Sequence, residues 1–401
     1  MWRQIKGRVT KQYKRVQKWI SHTFGPHLLR TFKFGSEDSL NSDGKKIESP
    51  KAFGCRLFSA ESGRLVNHPK CTHVFHPGDQ IEQTCMVVKL LGVGAYGKVY
   101  KMLSSKTMKY FGAKMTCNVN PGGDRGALKE FEICQEFSKN ENFKFYKMYF
   151  AAPFDFFYYK KHSFLMMQLF EFDLRAALQN MFDLNQIRTI IHNVGCALEF
   201  LHTLPDPIIH ADLKPENIMI RKNGSNSFSC VLVDFGISMR VSDETNYCIQ
   251  TLEYRSPEIH LRTQFDPRID IFSLGIIGME IFAGNNFLSD KTAIQQLKAL
   301  IDLVGIPKGF IPISEAEDTR KWIKSAHFTQ AKSPERAFTR IQECLKISQH
   351  FREFLDLSDR NIHYSDHLDF VELIEQMIRF DYQERLTASD LLKNKFFAKR
   401  C

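Results

Sequence analysis

The apolar pattern of this chain changes period once, and that change restricts it to a fold in which strands and helices are segregated. From Cys85 onward three strand-length runs follow one another, at 86–91, 99–103 and 110–115, with glycines closing the first. Residues 126–138 then set Leu128, Phe131, Cys134 and Phe137 on one helical face, and 163–170 reads as one more buried strand. After Asp173 the spacing is helical, in segments 185–203, 268–283, 290–304 and 368–380. Strands followed by helices, without alternation and without an internal repeat, imply an α+β chain whose small β-rich part with one main helix precedes a larger α-rich part.

With 401 residues, 43% hydrophobic and 25% charged, there is ample material for such a core. The net charge of +10 suggests a nucleic-acid partner until it is located. Residues 1–33 hold nine Lys or Arg and no acid, leaving 46 of the 55 basic residues against 45 acidic ones elsewhere. The body is nearly neutral, so its charge gives no reason to expect a nucleic-acid groove. Within the leader, Ile5, Val9, Tyr13, Val16 and Ile20 recur at steps of three or four between basic residues, the pattern of a basic amphipathic helix. A basic tail, a nuclear-import patch, a transit peptide, and a helix on an acidic membrane surface or in a partner groove all fit it. Residues 34–80 read as linker or irregular structure. The ten cysteines form no Cys-x-x-Cys pair, and the N-terminus lacks a secretory apolar run; both suit reduced thiols inside a cell.

One stretch concentrates polar groups of a particular kind. His210, Asp212, Lys214 and Asn217 lie within eight residues, followed by Asp234-Phe235-Gly236 after the apolar run 231–233. Four such positions coincide by chance in on the order of one chain per thousand. Phosphoryl transfer needs these groups: a base near the acceptor hydroxyl, cations on the phosphates and oxygen ligands for the metal. Asp212 suits the base and Lys214 the cation, while Asn217 and Asp234 are the hard donors Mg²⁺ prefers. His210 reads as a packed, hydrogen-bonded anchor.

Upstream, Leu91, Gly92, Gly94, Gly97 and Val99 form a glycine loop between two expected strands, where missing side chains let the backbone approach a polyphosphate. The motif alone is weak. Its setting excludes a dinucleotide turn, which leads from strand to helix, and a Walker loop, which ends in Gly-Lys-Ser/Thr. Lys114, expected at the end of the third strand, reaches the α- and β-phosphates if a carboxylate on the next helix holds it. Glu130 and Glu132 compete; Glu130 is preferred because Phe131, Ile133, Cys134 and Phe137 then pack around it.

Together these residues resemble the eukaryotic protein kinase family over roughly 86–397. The resemblance implies a bilobal fold, with 1–80 a basic extension, 81–172 the N-lobe including the hinge, and 173–401 the C-lobe. It further implies ATP and Mg²⁺ as cofactors, protein substrates, a monomer, and a place in the nucleus or cytoplasm. By resemblance Gln168, Leu169 and Phe170 are the adenine-binding hinge with Met167 beside it. Thr251 contacts Asp212 and Lys214, Asp270 with Ser273 and Gly275 ties down the catalytic loop, and Arg385 pairs with Glu258. The chain is most similar to the group of cyclin-dependent, MAP and dual-specificity tyrosine-regulated kinases, especially homeodomain-interacting protein kinases. His210-Ala211-Asp212, Ile249-Gln250 before Tyr254-Arg255-Ser256-Pro257-Glu258, and the stretch from Gln296-Leu297 to Gly305-Ile306-Pro307 carry that likeness. It implies a serine/threonine enzyme, with Arg255 favouring proline after the phosphorylated residue. Three positions depart from it. Ala211 replaces an arginine that grips a phosphorylated loop, Cys248 follows Tyr247 where relatives place a self-phosphorylated tyrosine, and Gly112 stands for an alanine against adenine. A scaffold that keeps the fold without turnover is the rival reading; Lys114, Asp212 and Asp234, which degenerate kinases usually lose, are all present.

Overall fold

The computed structural model describes residues 57–58, 65–66, 74–94, 97–117, 125–160, 162–178, 182–223, 227–243, 247–306, 334–354 and 364–398. All of them belong to one compact unit, Gly54–Cys401. The basic leader at 1–33 lies outside the described residues, as does most of 34–73.

A short ladder of β1 (Leu57–Phe58) with β2 (Leu65–Val66) precedes a six-stranded antiparallel sheet. Its strands are β3 (Gln80–Ile81), β4 (Cys85–Gly94), β5 (Gly97–Ser104), β6 (Tyr110–Cys117), β7 (Asp155–Tyr159) and β8 (His162–Met167), in the order β3-β4-β5-β6-β8-β7. Packing starts ahead of the expected boundary at 81. Phe75 is buried against Tyr100 and Phe164 at ring separations of 6.2 and 5.7 Å, so this part of the expected linker already belongs to the sheet.

Lys114 does not end its strand as expected. β6 runs on to Cys117 because Thr116 and Cys117 still find partners in Ser163 and His162. Lys114 is therefore interior, paired with Val99 on one side and Leu165 on the other. Directly paired residues share a face and the face repeats every second residue, so Gly92, Val99, Gly112, Lys114 and Met167 point the same way.

Helix α1 (Arg125–Ser138) covers that sheet with a different stripe from the one its apolar spacing suggests. Ala127, Glu130, Ile133, Cys134 and Phe137 are buried, whereas Leu128 and Phe131 are half-buried. A carboxylate occupies the inward face because Lys114 lies opposite, and Phe131 stacks instead on Phe156 of the edge strand at 5.9 Å.

Beyond the hinge, β9 (Phe172–Asp173) leads into α2 (Leu184–His202), which begins with a reciprocal cap between Asp183 and Gln186. Next come β10 (Ile208–Ile209), β11 (Ile218–Lys222), β12 (Phe228–Leu232) and β13 (Met239–Arg240). Two small sheets, β12-β11-β9 and β10-β13, frame the loops between them. Further helices described beyond this point are α3 (Pro257–Leu261), α4 (Arg268–Ala283), α5 (Ala293–Val304), α6 (Ala337–Phe354), α7 (Tyr364–Met377) and α8 (Ala388–Leu392), and two one-turn helices lie earlier, at Phe143–Tyr146 and Leu174–Ala177. Every residue of α4 from Ile269 to Phe282 is buried, so this helix is the axis of the larger lobe. No described helix is long and apolar enough to cross a membrane.

Candidate functional site

The polar residues singled out above meet where the two lobes face each other. In the catalytic loop Lys214 Nζ donates to Asp212 Oδ2 at 2.6 Å and to Thr251 Oγ1 at 3.2 Å, while Thr251 donates to Asp212 Oδ1 at 2.6 Å. Asn217 Nδ2 donates to the Asp212 carbonyl and to its Oδ2 at 2.8 and 3.1 Å. Burial disfavours the Lys214 ammonium, but the adjoining Asp212 carboxylate more than offsets this and raises its pKa.

A second cation, Lys114, bridges the lobes. Its Nζ lies 2.9 Å from Glu130 Oε2 and 2.6 Å from Asp234 Oδ1. Desolvation lowers the Lys114 pKa, yet Asp234 and Glu130 outweigh it and the ammonium is held well above its ordinary value. The two acids divide unequally. Burial raises Glu130, whereas the Lys114 charge overcomes burial at Asp234 and lowers it.

The main chain around these groups is held from below. Asp270 on α4, fully buried, accepts the N–H groups of His210 and Ala211 at 2.8 and 3.0 Å. The Ala211 carbonyl in turn accepts from Gln250 N at 2.8 Å. Ala211, Asp234 and Gln250 have φ of 64°, 65° and 60°, a left-handed conformation that costs non-glycine residues energy and is tolerated where surrounding bonds impose it. His210 is the expected anchor: it is buried, its Nε2 lies 3.0 Å from the Val233 carbonyl, and its ring meets Phe235 edge-on at 5.0 Å. Phe235 also packs on Phe137 at 5.4 Å and donates its N–H to Glu130 at 3.2 Å, so α1, the loop after β12 and the loop around Asp212 share one buried ring.

The cofactor-binding candidates line the same cleft less directly. A side chain at Gly97 would place its Cβ 2.0 Å from the Met115 carbonyl, so only glycine permits the β5–β6 approach there. Leu91 is exposed, Val99, Met167 and Phe170 are half-buried, and Gly92 and Gly94 lie in the hairpin that turns into β5. The exposed Gln168 side chain is taken by Arg221 at 3.2 Å, leaving main-chain groups as the hinge's means of binding a base. Of these residues Met167, the last of β8, shares the sheet face of Lys114, and the hinge follows directly after it.

The Asn217 nitrogen is committed to Asp212, so its oxygen is the atom suited to a cation, beside the Asp234 carboxylate. Among the described residues no group of three or more His, Cys, Asp or Glu could hold a metal. The donor set fits Mg²⁺ held by Asn217 and Asp234 with phosphate and water completing its shell.

Two further networks escaped the sequence reading. Gln250 ties its own segment to α4 and to the start of α3: its side chain donates to the Ile269 carbonyl and Ser273 and accepts from Ser256, all within 3.0 Å. Arg175 pairs with Glu216 at 2.9 Å and with the buried Glu280, which also accepts from Tyr254 at 2.6 Å. Glu280 interrupts the apolar run of α4, and an acid there needs a cation; that was the available signal.

The protein kinase domain family model matches residues 85–397. The chain belongs to the protein kinase family. This kinase domain is 29% identical over 286 residues to dual specificity tyrosine-phosphorylation-regulated kinase 4 of Homo sapiens, covering 70% of the chain and 52% of that protein. It is 29% identical over 353 residues to homeodomain-interacting protein kinase 1 of Caenorhabditis elegans, covering 80% and 40%. With dual specificity tyrosine-phosphorylation-regulated kinase 2 of Drosophila melanogaster it shares 26% over 324 residues, covering 79% and 42%. The aligned part spans about half or less of the length of these relatives. Within the kinase domain Arg385 and Glu258 form a buried bidentate pair at 2.7 and 3.1 Å that fastens α3 to the C-terminal part.

Proposed function

We propose that this kinase domain is active and transfers the γ-phosphoryl group of ATP to serine or threonine followed by proline in protein substrates. The observation that carries the reading is the closed cluster of Asp212, Lys214, Thr251 and Asn217 beside an intact Lys114–Glu130–Asp234 bridge. Asp212 would orient and accept the proton of the attacking hydroxyl, Lys214 would offset charge on the transferring group, and Lys114 would hold the α- and β-phosphates. Mg²⁺, when bound by Asn217 and Asp234, neutralises phosphate charge.

The preference for proline follows from Gln250. Its left-handed φ turns the carbonyl toward Arg255, whose Nε and Nη2 donate to it at 3.3 and 2.9 Å. That oxygen is therefore occupied when a substrate backbone passes. A residue after the acceptor with an N–H to satisfy loses a partner, at about 1–3 kcal/mol, whereas proline has none to lose. Tyr247, half-buried and edge-on to Phe265 at 5.8 Å, is the candidate for self-phosphorylation, since Cys248 holds the next position. Intracellular residence, nuclear or cytoplasmic, is proposed with this activity from the thiol usage.

The test is phosphate transfer to paired Ser-Pro and Ser-Ala peptides. Wild type should favour Ser-Pro by roughly five-fold or more, and Asp212→Asn should reduce kcat by roughly 10²- to 10⁴-fold. Equal null rates for both proteins, with nucleotide binding intact, would establish the scaffold reading instead.

A further inference from the structure

Helix α1 carries Glu130, yet its contact with the segment after Asp234 is poorly filled. A cavity of about 410 Å³ opens there, lined by Lys129, Gly236, Met239, Asp243, Cys248 and Ile249. Charge spans the gap. Lys129 Nζ lies 3.5 Å from Asp243 Oδ2, and Glu136, two turns along the same helix, takes the Arg240 guanidinium. The segment side is braced to receive them. Asp243 Oδ2 accepts the Arg240 N–H at 2.9 Å, Ser242 donates to Asp206 at 2.6 Å, and Arg240 Nε lies 3.9 Å from the same carboxylate. Ala211, buried and apolar, has no charge to offer a phosphate on this segment.

We propose that Lys129, Glu136, Arg240 and Asp243 are positioning residues for the phosphoryl transfer. Their two ion pairs form a charge latch that holds α1 to the segment 239–243 and so keeps Glu130 on Lys114 without a phosphate on that segment. This inference rests on the active-kinase reading above. The pairs act through Glu130 and touch neither nucleotide nor acceptor. Where packing would hold α1 irrespective of salt, a latch of partly exposed charges weakens as ionic strength rises. Each such pair shifts an equilibrium by roughly two- to five-fold, so removing both should shift α1 by roughly 4- to 25-fold.

The experiment compares wild type with the Lys129→Met/Glu136→Gln double variant, whose changes are at the surface. Its kcat should fall and its KM for ATP rise, lowering kcat/KM by up to roughly 25-fold while the peptide KM stays within about two-fold. Between about 0.05 and 0.5 M salt the wild-type rate should decline toward that of the variant, whose own rate stays flat. Lys129→Arg should retain most activity, and phosphatase-treated wild type should stay within about two-fold of untreated protein. Amide hydrogen exchange across 126–138 should accelerate in the double variant, a readout that needs no turnover. Unchanged exchange, or a wild type silenced by phosphatase, overturns the latch. A wild type that never transfers phosphate defeats the activity reading instead, and exchange still decides whether the pairs hold α1.

Discussion

Replacing Arg385 with leucine tests whether the pair with Glu258 holds the larger lobe together. The guanidinium is fully buried and the Glu258 side chain is 4% exposed. Besides both Glu258 oxygens it satisfies the Arg268 carbonyl at 3.0 Å and the Arg379 carbonyl at 2.9 and 3.2 Å, and it lies 5.0 Å above the Phe272 ring. Its removal leaves a buried carboxylate without its cation, which costs about 3–5 kcal/mol. In a domain of this size each kcal/mol lowers Tm by roughly 2–3 °C, so Arg385→Leu should melt roughly 6–15 °C below wild type. Removing both charges is different, because no unpaired ion remains. Glu258→Leu/Arg385→Leu should therefore be more stable than the sum of the single changes requires, with a coupling of roughly 2 kcal/mol or more. Urea unfolding followed by far-UV circular dichroism on wild type, both single variants and the double variant measures all four corners. Single variants within about 1 kcal/mol of wild type, or a strictly additive double variant, would refute the reasoning.

Other positions give independent checks. A Cβ at Gly112 would meet Met167 Cγ at 3.5 Å, an ordinary contact, so Gly112→Ala should fit and add apolar surface at the nucleotide cleft. ATP should then bind up to roughly four-fold tighter by calorimetry, from about 0.8 kcal/mol per buried methylene; weaker binding would count against the assigned cleft. At Gly275 the added Cβ would lie 2.5 Å from Ile378 Cγ2 and 3.0 Å from Met377 Cβ, so Gly275→Ala should cost about 1–3 kcal/mol in thermal unfolding. His260 on α3 has a buried Nε2 without a hydrogen-bond partner, and burial, then the Arg255 charge, push its pKa down to about 3. The unfolded chain takes up this proton near pH 6.5 and the folded one does not, so stability falls as pH drops from about 6.5 toward 3. At pH 5 the loss is about 2 kcal/mol; His260→Gln should abolish that share of the slope in unfolding measured against pH.

Much of this was readable in advance where the signal is local. The order of strands and helices follows from apolar spacing, and the catalytic residues stand at short fixed intervals around two loops. What depends on distant partners was harder to see. Glu130 lies on the buried face of α1 because Lys114 and, through it, Asp234 draw it there, and Asp234 is 120 residues from Lys114. Apolar spacing alone favoured Leu128 and Phe131. Arg175 reaches Glu280 across 105 residues, and only the acid inside an apolar run hinted at it. The left-handed backbones of Ala211 and Gln250 leave no trace in their side-chain chemistry, since they are imposed by bonds from α4 and from each other. Readings of the basic leader and of Pro307 lie outside the described residues.

Asp270 has one more consequence. It grips main-chain N–H groups, so the loop's shape is specified without reference to the side chain at 211, which is left free to change while the geometry beneath Asp212 persists. Backbone geometry and side-chain choice are thus separable here at a single residue. A charge introduced at 211 would leave the main-chain bonds beneath Asp212 in place, but it would need a phosphate or another anion as partner, because the position is buried among Ile209, Met239 and Ile249.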